Sequence, residues 1–227
     1  MKTDIPVLKT WHTPASDYPD AVVGKAEIKT AHYRGFYESY GLRGHPFYKA
    51  LKIPIRVLTI GGEVWMVDDP PHWWAMEDHA QVFHGHVLVA GLGLGLIVHT
   101  LTANPNVERI TVVEREQDVI DLISPHIPHD KLTIEHGDFW EWDGDNVDGV
   151  FFDLFVGNGK DLMFDALRTY IHLAERFPRP IRIHGFNNDS LDKIVSGIED
   201  ANKQAQKQLR QRRRMGPAAR LVRAGDS

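Results

Sequence analysis

Between residues 86 and 186 the chain alternates between short, uninterrupted apolar runs and stretches where apolar side chains recur with helical spacing. His86-Val-Leu-Val-Ala-Gly91, Arg109-Ile-Thr-Val-Val-Glu114, Lys131-Leu-Thr-Ile-Glu-His136 and Asp148-Gly-Val-Phe-Phe-Asp-Leu-Phe155 are rich in β-branched and aromatic residues. Runs of this kind with little polar alternation predict strands covered on both faces, as in a parallel sheet. Residues 94–103, 117–124 and 161–177 carry the helical pattern, the second closed by Pro125. In Pro180–Phe186, Arg182 and His184 alternate with Ile181 and Ile183, the mark of a half-exposed edge strand. A strand–helix succession of this form predicts a doubly wound α/β sheet.

The first third of the chain reads differently. Residues 53–60 and 64–67 flank Gly61-Gly62-Glu63 and predict a β-hairpin. Val22, Val23 and Ile28, set among polar residues, suggest a strand within 21–33. The aromatic group Tyr33, Phe36, Tyr37, Tyr40, Phe47 and Tyr48 is expected to be the packing face of an N-terminal extension, with a lid over a substrate as the other reading. Asp68 to Asp78, dense in carboxylates and aromatics, leads by a short helix into the strand at 86; Trp73 and Trp74 either line a cleft or pack as a hinge on the sheet. The expected divisions are 1–79 for the aromatic segment and hairpin, 80–200 for the α/β domain and 201–227 for a tail.

Composition narrows the function classes. With 227 residues, 42% hydrophobic and 25% charged, the chain suffices for one main core and an accessory segment. No run approaches the roughly 18 apolar residues of a membrane span, and the start, Met-Lys-Thr-Asp-Ile-Pro, has no apolar core of a secretory signal, so a cytoplasmic location is expected. The absence of cysteine excludes disulfides, thiolate metal sites and a cysteine nucleophile. Thirteen histidines are scattered without a helical H-x-x-x-H pair, and no metal site is expected. Residues 201–227 carry +7 and leave −12 on the body; a solvated tail is favoured over a nucleic-acid grip, which the acidic body opposes.

The chemistry gathers at the strand ends. Gly91, Gly93 and Gly95 stand where the run from His86 passes into a helix, a place for main-chain N–H groups to approach a ligand. The spacing is G-x-G-x-G rather than the G-x-G-x-x-G of dinucleotide folds, which tilts the chain away from NAD. Glu114 ends the next strand, where an acid can accept both hydroxyls of an adenosine ribose. Gly137-Asp138-Phe139 closes the third strand, and Asp153 lies near the end of the fourth.

In these marks the chain resembles the class I S-adenosylmethionine-dependent methyltransferases, with a secondary likeness to the spermidine synthases that share their fold. The resemblance implies a Rossmann-like sheet in the order 3-2-1-4-5, S-adenosylmethionine across the first two strand ends, Asp138 on the adenine amino group and Phe139 over the ring. Asp153-Leu154-Phe155-Val156 departs from the Asp/Asn-Pro-Pro-Tyr/Phe of methyltransferases acting on planar amines. The hairpin followed by a linker matches the spermidine synthases, whose acid at the Asp153 position accepts a proton from the attacking amine. However, their second acid has no counterpart before Asp161, and Leu94 replaces their acid in the glycine turn. The expectation is thus a methyltransferase with Asp153 binding or deprotonating a small-molecule acceptor; aminopropyl transfer and nucleotide binding without turnover are the alternatives. A homo-oligomer stays open.

Overall fold

The computed structural model describes residues 5–38, 47–144, 146–154, 161–177 and 182–185, with helical residues 197, 200, 203, 204, 206 and 207. Met1–Phe186 forms one compact unit and Asn187–Ser227 a second. The first unit contains two sheets. Strands β1 (Val7–Leu8), β2 (Ala21–Val23), β3 (Ala26–Glu38), β4 (Phe47–Ile60) and β5 (Glu63–Val67) make the N-terminal one, in the order β1-β4-β3-β2 with β5 also on β4. The pairs are antiparallel except β1 with β4.

The expected hairpin is β4–β5, turning at Gly61 and Gly62, both with positive φ. The expected hairpin, and the strand suggested within 21–33, are here parts of a five-stranded sheet rather than a simple extension. The reason lies in β3, which buries Ala26 and Ile28 against one core while Ala31 and Tyr33 pack against another beneath Ile53, Ile55 and Val57. Even-numbered residues face inward at one end and odd-numbered at the other, so no single period-2 pattern runs through the strand. Tyr40 lies outside the described residues.

Asp69 opens α1 (Pro70–Ala80), its side chain accepting the His72 N–H, with Pro70 at the first helical position where no N–H is needed. The chain continues through β6 (Gly85–Ala90), α2 (Leu96–Ala103), β7 (Val107–Glu114), α3 (Gln117–Ile123), β8 (Leu132–His136), β9 (Gly149–Phe152), α4 (Asp161–Arg176) and β10 (Arg182–Gly185). These five strands form an all-parallel sheet in the order β10-β9-β6-β7-β8, the mixed α/β architecture that the pattern predicts. From β6 the chain winds outward through β7 and β8, then returns to β9 on the other side. A crevice therefore opens at the carboxyl ends of β6 and β9, the usual ligand position in such sheets. Arg182 is exposed on β10, which ends the described sheet, as its alternation implies, whereas His184 is half-buried against His79 and Phe83.

Val87, Leu88 and Val89 of β6, Ile110 and Val112 of β7, and Val150 and Phe152 of β9 are all buried. Each such side chain contributes about 1.5–3 kcal/mol on leaving water. Ala26, Ile28 and Leu58 share one core with Val87, Val89 and Ile110, so the two sheets are packed together. At the β2–β3 turn the Lys25 N–H donates to Asp118 of α3, and its ammonium lies 2.5 Å from Glu116. The fourth strand stops at Phe152, shorter than expected, which leaves Asp153 just beyond it. Phe155, the expected helix start at Ser190, and the tail apart from the few helical residues named lie outside the described residues.

Candidate functional site

Gly91, Gly93 and Gly95 have φ of 84°, 54° and 70°, left-handed values that a side chain resists, and these let the chain reverse between β6 and α2. The Gly91 N–H donates to the Val113 carbonyl, and the Gly95 N–H to Leu92. Beneath the turn, the buried Tyr18 hydroxyl donates to the Leu94 carbonyl and lies 2.7 Å from His99 Nε2. Burial raises the Tyr18 pKa, which keeps it a neutral donor.

Above the turn is a cavity of about 220 Å³, lined by Gly91, Gly93, Glu114, Asp138, Phe139 and Asp153 among others. Six of the seven residues singled out in the sequence meet there. Gly95 does not, because it faces the protein: a Cβ on it would come within 2.6 Å of Ile127.

Glu114 is 9% exposed, and both its oxygens are engaged with backbone. Oε2 accepts from Leu92 N at 2.7 Å and Oε1 from Glu116 N at 2.8 Å. Each oxygen keeps a second lone pair, so the carboxylate stays able to accept two hydroxyls while bracing the glycine turn against β7. Asp138 caps a 3-10 turn at Phe139–Glu141, accepting from Trp140 N at 2.9 Å. Phe139 is buried edge-on to Trp140, 5.4 Å between centroids.

Asp153 sits at the β9 end of the cleft. Desolvation pushes its pKa up to about 6, with the charge of His72 pulling the other way. Burial thus makes this carboxyl easier to protonate than a free aspartate.

The remaining walls escaped sequence reasoning. Leu58, Ile60, Trp65 and Met66 reach the cleft from the N-terminal sheet. Val64 pairs with Thr59 and Met66 with Leu58, so Trp65 is the extra residue of a β-bulge, and two successive side chains line one cavity. Met66 sits on the turn itself, its sulfur 3.2 Å from the Leu94 nitrogen and 2.7 Å from where a Cβ on Gly93 would stand. The signal available was the pairing of two large side chains next to a glycine turn, which strict alternation would have sent to opposite faces.

The lining carries Glu114, Glu116, Asp138 and Asp153 against Arg115, whose guanidinium lies 3.4 Å from Glu116. An acidic cleft suits a cation such as a sulfonium. Its volume is below the ~300–1,000 Å³ usual for ligand sites, and the long unbranched Met66 side chain forms part of one wall. Glycine cradle, paired acceptors, aromatic cover and acidic lining therefore fit S-adenosylmethionine. Among the described residues no group of three or more metal-ligating side chains occurs, and no helix is long and apolar enough to cross a membrane.

No protein-family model and no curated protein matches the sequence. Among solved structures, a dimethyladenosine transferase from Plasmodium falciparum is similar at 15% identity and a TM-score of 0.36, over 52% of this chain and 42% of that one. A complex of a putative methyltransferase with the Haloferax volcanii Trm112 activator gives 22% identity and a TM-score of 0.31, over 36% of this chain and 39% of that one. A putative RNA methyltransferase from Pyrococcus horikoshii gives 19% and 0.29, over 34% and 38%. The chain thus spans less than half the length of each of these structures, and each is similar to part of it.

Proposed function

We propose that the chain is an S-adenosylmethionine-dependent transferase that moves a methyl group to a small-molecule acceptor. The observation that carries this reading is the convergence of Gly91, Gly93, Glu114, Asp138, Phe139 and Asp153 on one cleft at the switch point of a parallel sheet. Glu114 would take the ribose hydroxyls, Asp138 and Phe139 the adenine, and Gly91 and Gly93 the close approach of the backbone. Bound there, the cofactor supplies an activated methyl group and its own leaving group. The protein's part is to hold the acceptor in line and to accept its proton on Asp153.

Isothermal calorimetry with S-adenosylmethionine tests the reading. Glu114→Ala, compared with wild type in a variant of unchanged circular dichroism, should weaken binding by about 2–4 kcal/mol, from two charge-assisted bonds. Equal affinity would overturn the assignment. Aminopropyl transfer is the second reading, favoured by the N-terminal sheet whose Leu58, Ile60, Trp65 and Met66 wall the cleft. Incubation with decarboxylated S-adenosylmethionine and a polyamine separates the two, since an aminopropyl product would displace methyl transfer.

A further inference from the structure

Between β8 and β9 the described residues form a single 3-10 turn, Phe139–Glu141, on a crossover that leads past β7 and β6. Such a turn closes with poorer hydrogen bonds than an α-helix. Here the bond from Trp142 N to the Phe139 carbonyl is 3.4 Å long. Yet this turn carries Asp138 and Phe139, both of which line the cleft. Side chains from α4 and β8 hold it from outside. Arg176, in the last turn of α4, donates through Nη1 to the same Phe139 carbonyl at 3.4 Å. Its guanidinium lies over the Trp142 ring, 5.9 Å from the centroid, and over that of Phe177 at 5.1 Å. The Trp142 indole in turn donates to Glu135 of β8 at 3.0 Å. One turn back along α4, His172 meets the Trp140 ring edge-on, with 5.3 Å between centroids.

We propose that Arg176 is a positioning residue for the adenine base: it fixes this turn so that the Asp138 carboxylate meets the base amino group and Phe139 covers the ring. The proposal rests on the transferase reading of the cleft, in which Asp138 and Phe139 take the adenine. Arg176 does not itself line the cleft. It grips the main chain of a residue that does. A guanidinium suits the place because it is planar, so it can lie against two aromatic rings while its N–H edge still points at a carbonyl. A compact ammonium cannot do both.

The aim of Asp138 follows that of the turn. Its Oδ1 accepts the Trp140 N–H at 2.9 Å and its carbonyl the Glu141 N–H at 3.0 Å, so the carboxylate moves with the backbone that Arg176 holds. Base selectivity reports this aim. The adenine amino group can donate to a carboxylate, whereas a purine without it offers only a C–H there. A well-aimed Asp138 therefore favours adenine, and a displaced one does not.

The test is isothermal calorimetry on the full chain with S-adenosylhomocysteine and its analogue lacking only the 6-amino group. Wild type should favour the amino ligand by about 10–100-fold, as expected for one hydrogen bond to a charged group. Arg176→Gln should cut that preference to about threefold or less, and Arg176→Lys, which keeps the charge but not the planar fork, should fall between the two. Arg168→Gln, at an 84% exposed side chain of the same helix, should match wild type; a lost preference there would show that any change on α4 suffices and would overturn the assignment to Arg176. A merely structural arginine would weaken both ligands alike. An undiminished preference in either Arg176 variant that keeps its circular dichroism would therefore overturn the positioning role alone, as would unfolding of both variants. Wild type that binds neither ligand would overturn the transferase reading and this role with it, and binding without preference would overturn the placing of adenine at Asp138.

Discussion

β6 buries Val87, Leu88 and Val89 in succession, whereas β5 leaves Glu63, Val64 and Trp65 at the surface and brings in Met66 half-buried over the glycine turn. The first strand lies between β9 and β7 with side chains packed on both faces; among the described residues the second pairs only with β4 and is largely exposed. One cleft is made from both. The parallel sheet contributes the glycine turn, Glu114 and Asp153. The antiparallel sheet contributes the facing wall, Leu58 and Ile60 from β4 and Trp65 and Met66 from the half-exposed outer strand β5.

The contrast can be tested by mutation at four places. The largest effect is expected at the end of β9, where Asp153→Asn keeps the shape and removes the proposed base. Transfer should drop by about 10²–10⁴-fold while calorimetric affinity for S-adenosylmethionine holds; an unchanged rate would move the chemistry away from β9. Next comes Leu88→Ala, which empties a fully buried site in the central strand. Urea unfolding should report a loss of about 2–5 kcal/mol, and a smaller figure would mean that the parallel sheet repacks more freely than its burial implies.

The third test reads pH. Desolvation, with the neighbouring His184, lowers the His79 pKa to about 3; its ring lies 5.4 Å from Phe151. The unfolded chain, with an ordinary histidine, binds this proton near pH 6.5 while the folded protein refuses it. Stability tied to His79 is therefore complete above about pH 6.5 and drains away as pH falls toward 3, by up to about 1.4 kcal/mol per unit. His79→Phe should flatten this part of the acid limb in thermal melts; an identical slope would show that other groups control it. The smallest effect is expected in the N-terminal sheet, where Val22 is 66% exposed. Val22→Thr should change stability by less than about 0.5 kcal/mol, and a larger loss would reveal that this sheet is held more tightly than its exposure suggests.

Much of the parallel half was legible because its strands are buried on both faces and its cleft-lining residues sit at strand ends, positions that a linear pattern marks directly. Glu114 and Asp138 were found that way. Gly95 was read with the other glycines, but the spacing could not say that its turn faces Ile127 rather than the cleft. The N-terminal sheet was mostly missed, since β3 changes its inward face midway and so cancels its own alternation. Pairing between β3 and β4 joins residues as far apart as Ala26 and Ile60, a relation that local pattern does not carry. The grip of Arg176 on the Phe139 carbonyl was hidden for a different reason. An arginine in the last turn of a helix reads as a charge placed for the helix dipole, and only the fold brings the Phe139 turn beside it.

The bulge at Trp65 is, in the grammar of the strand, a spare letter. Val64 stays opposite Thr59 and Met66 opposite Leu58 whether or not it is present. Deleting Trp65 would thus leave every remaining pair in register and merely take one wall from the cleft, whereas deleting a residue from a regular strand would invert every side chain beyond it. The hairpin consequently gives this fold a way to resize its binding site by changing length at one position, with the sheet that carries it left untouched.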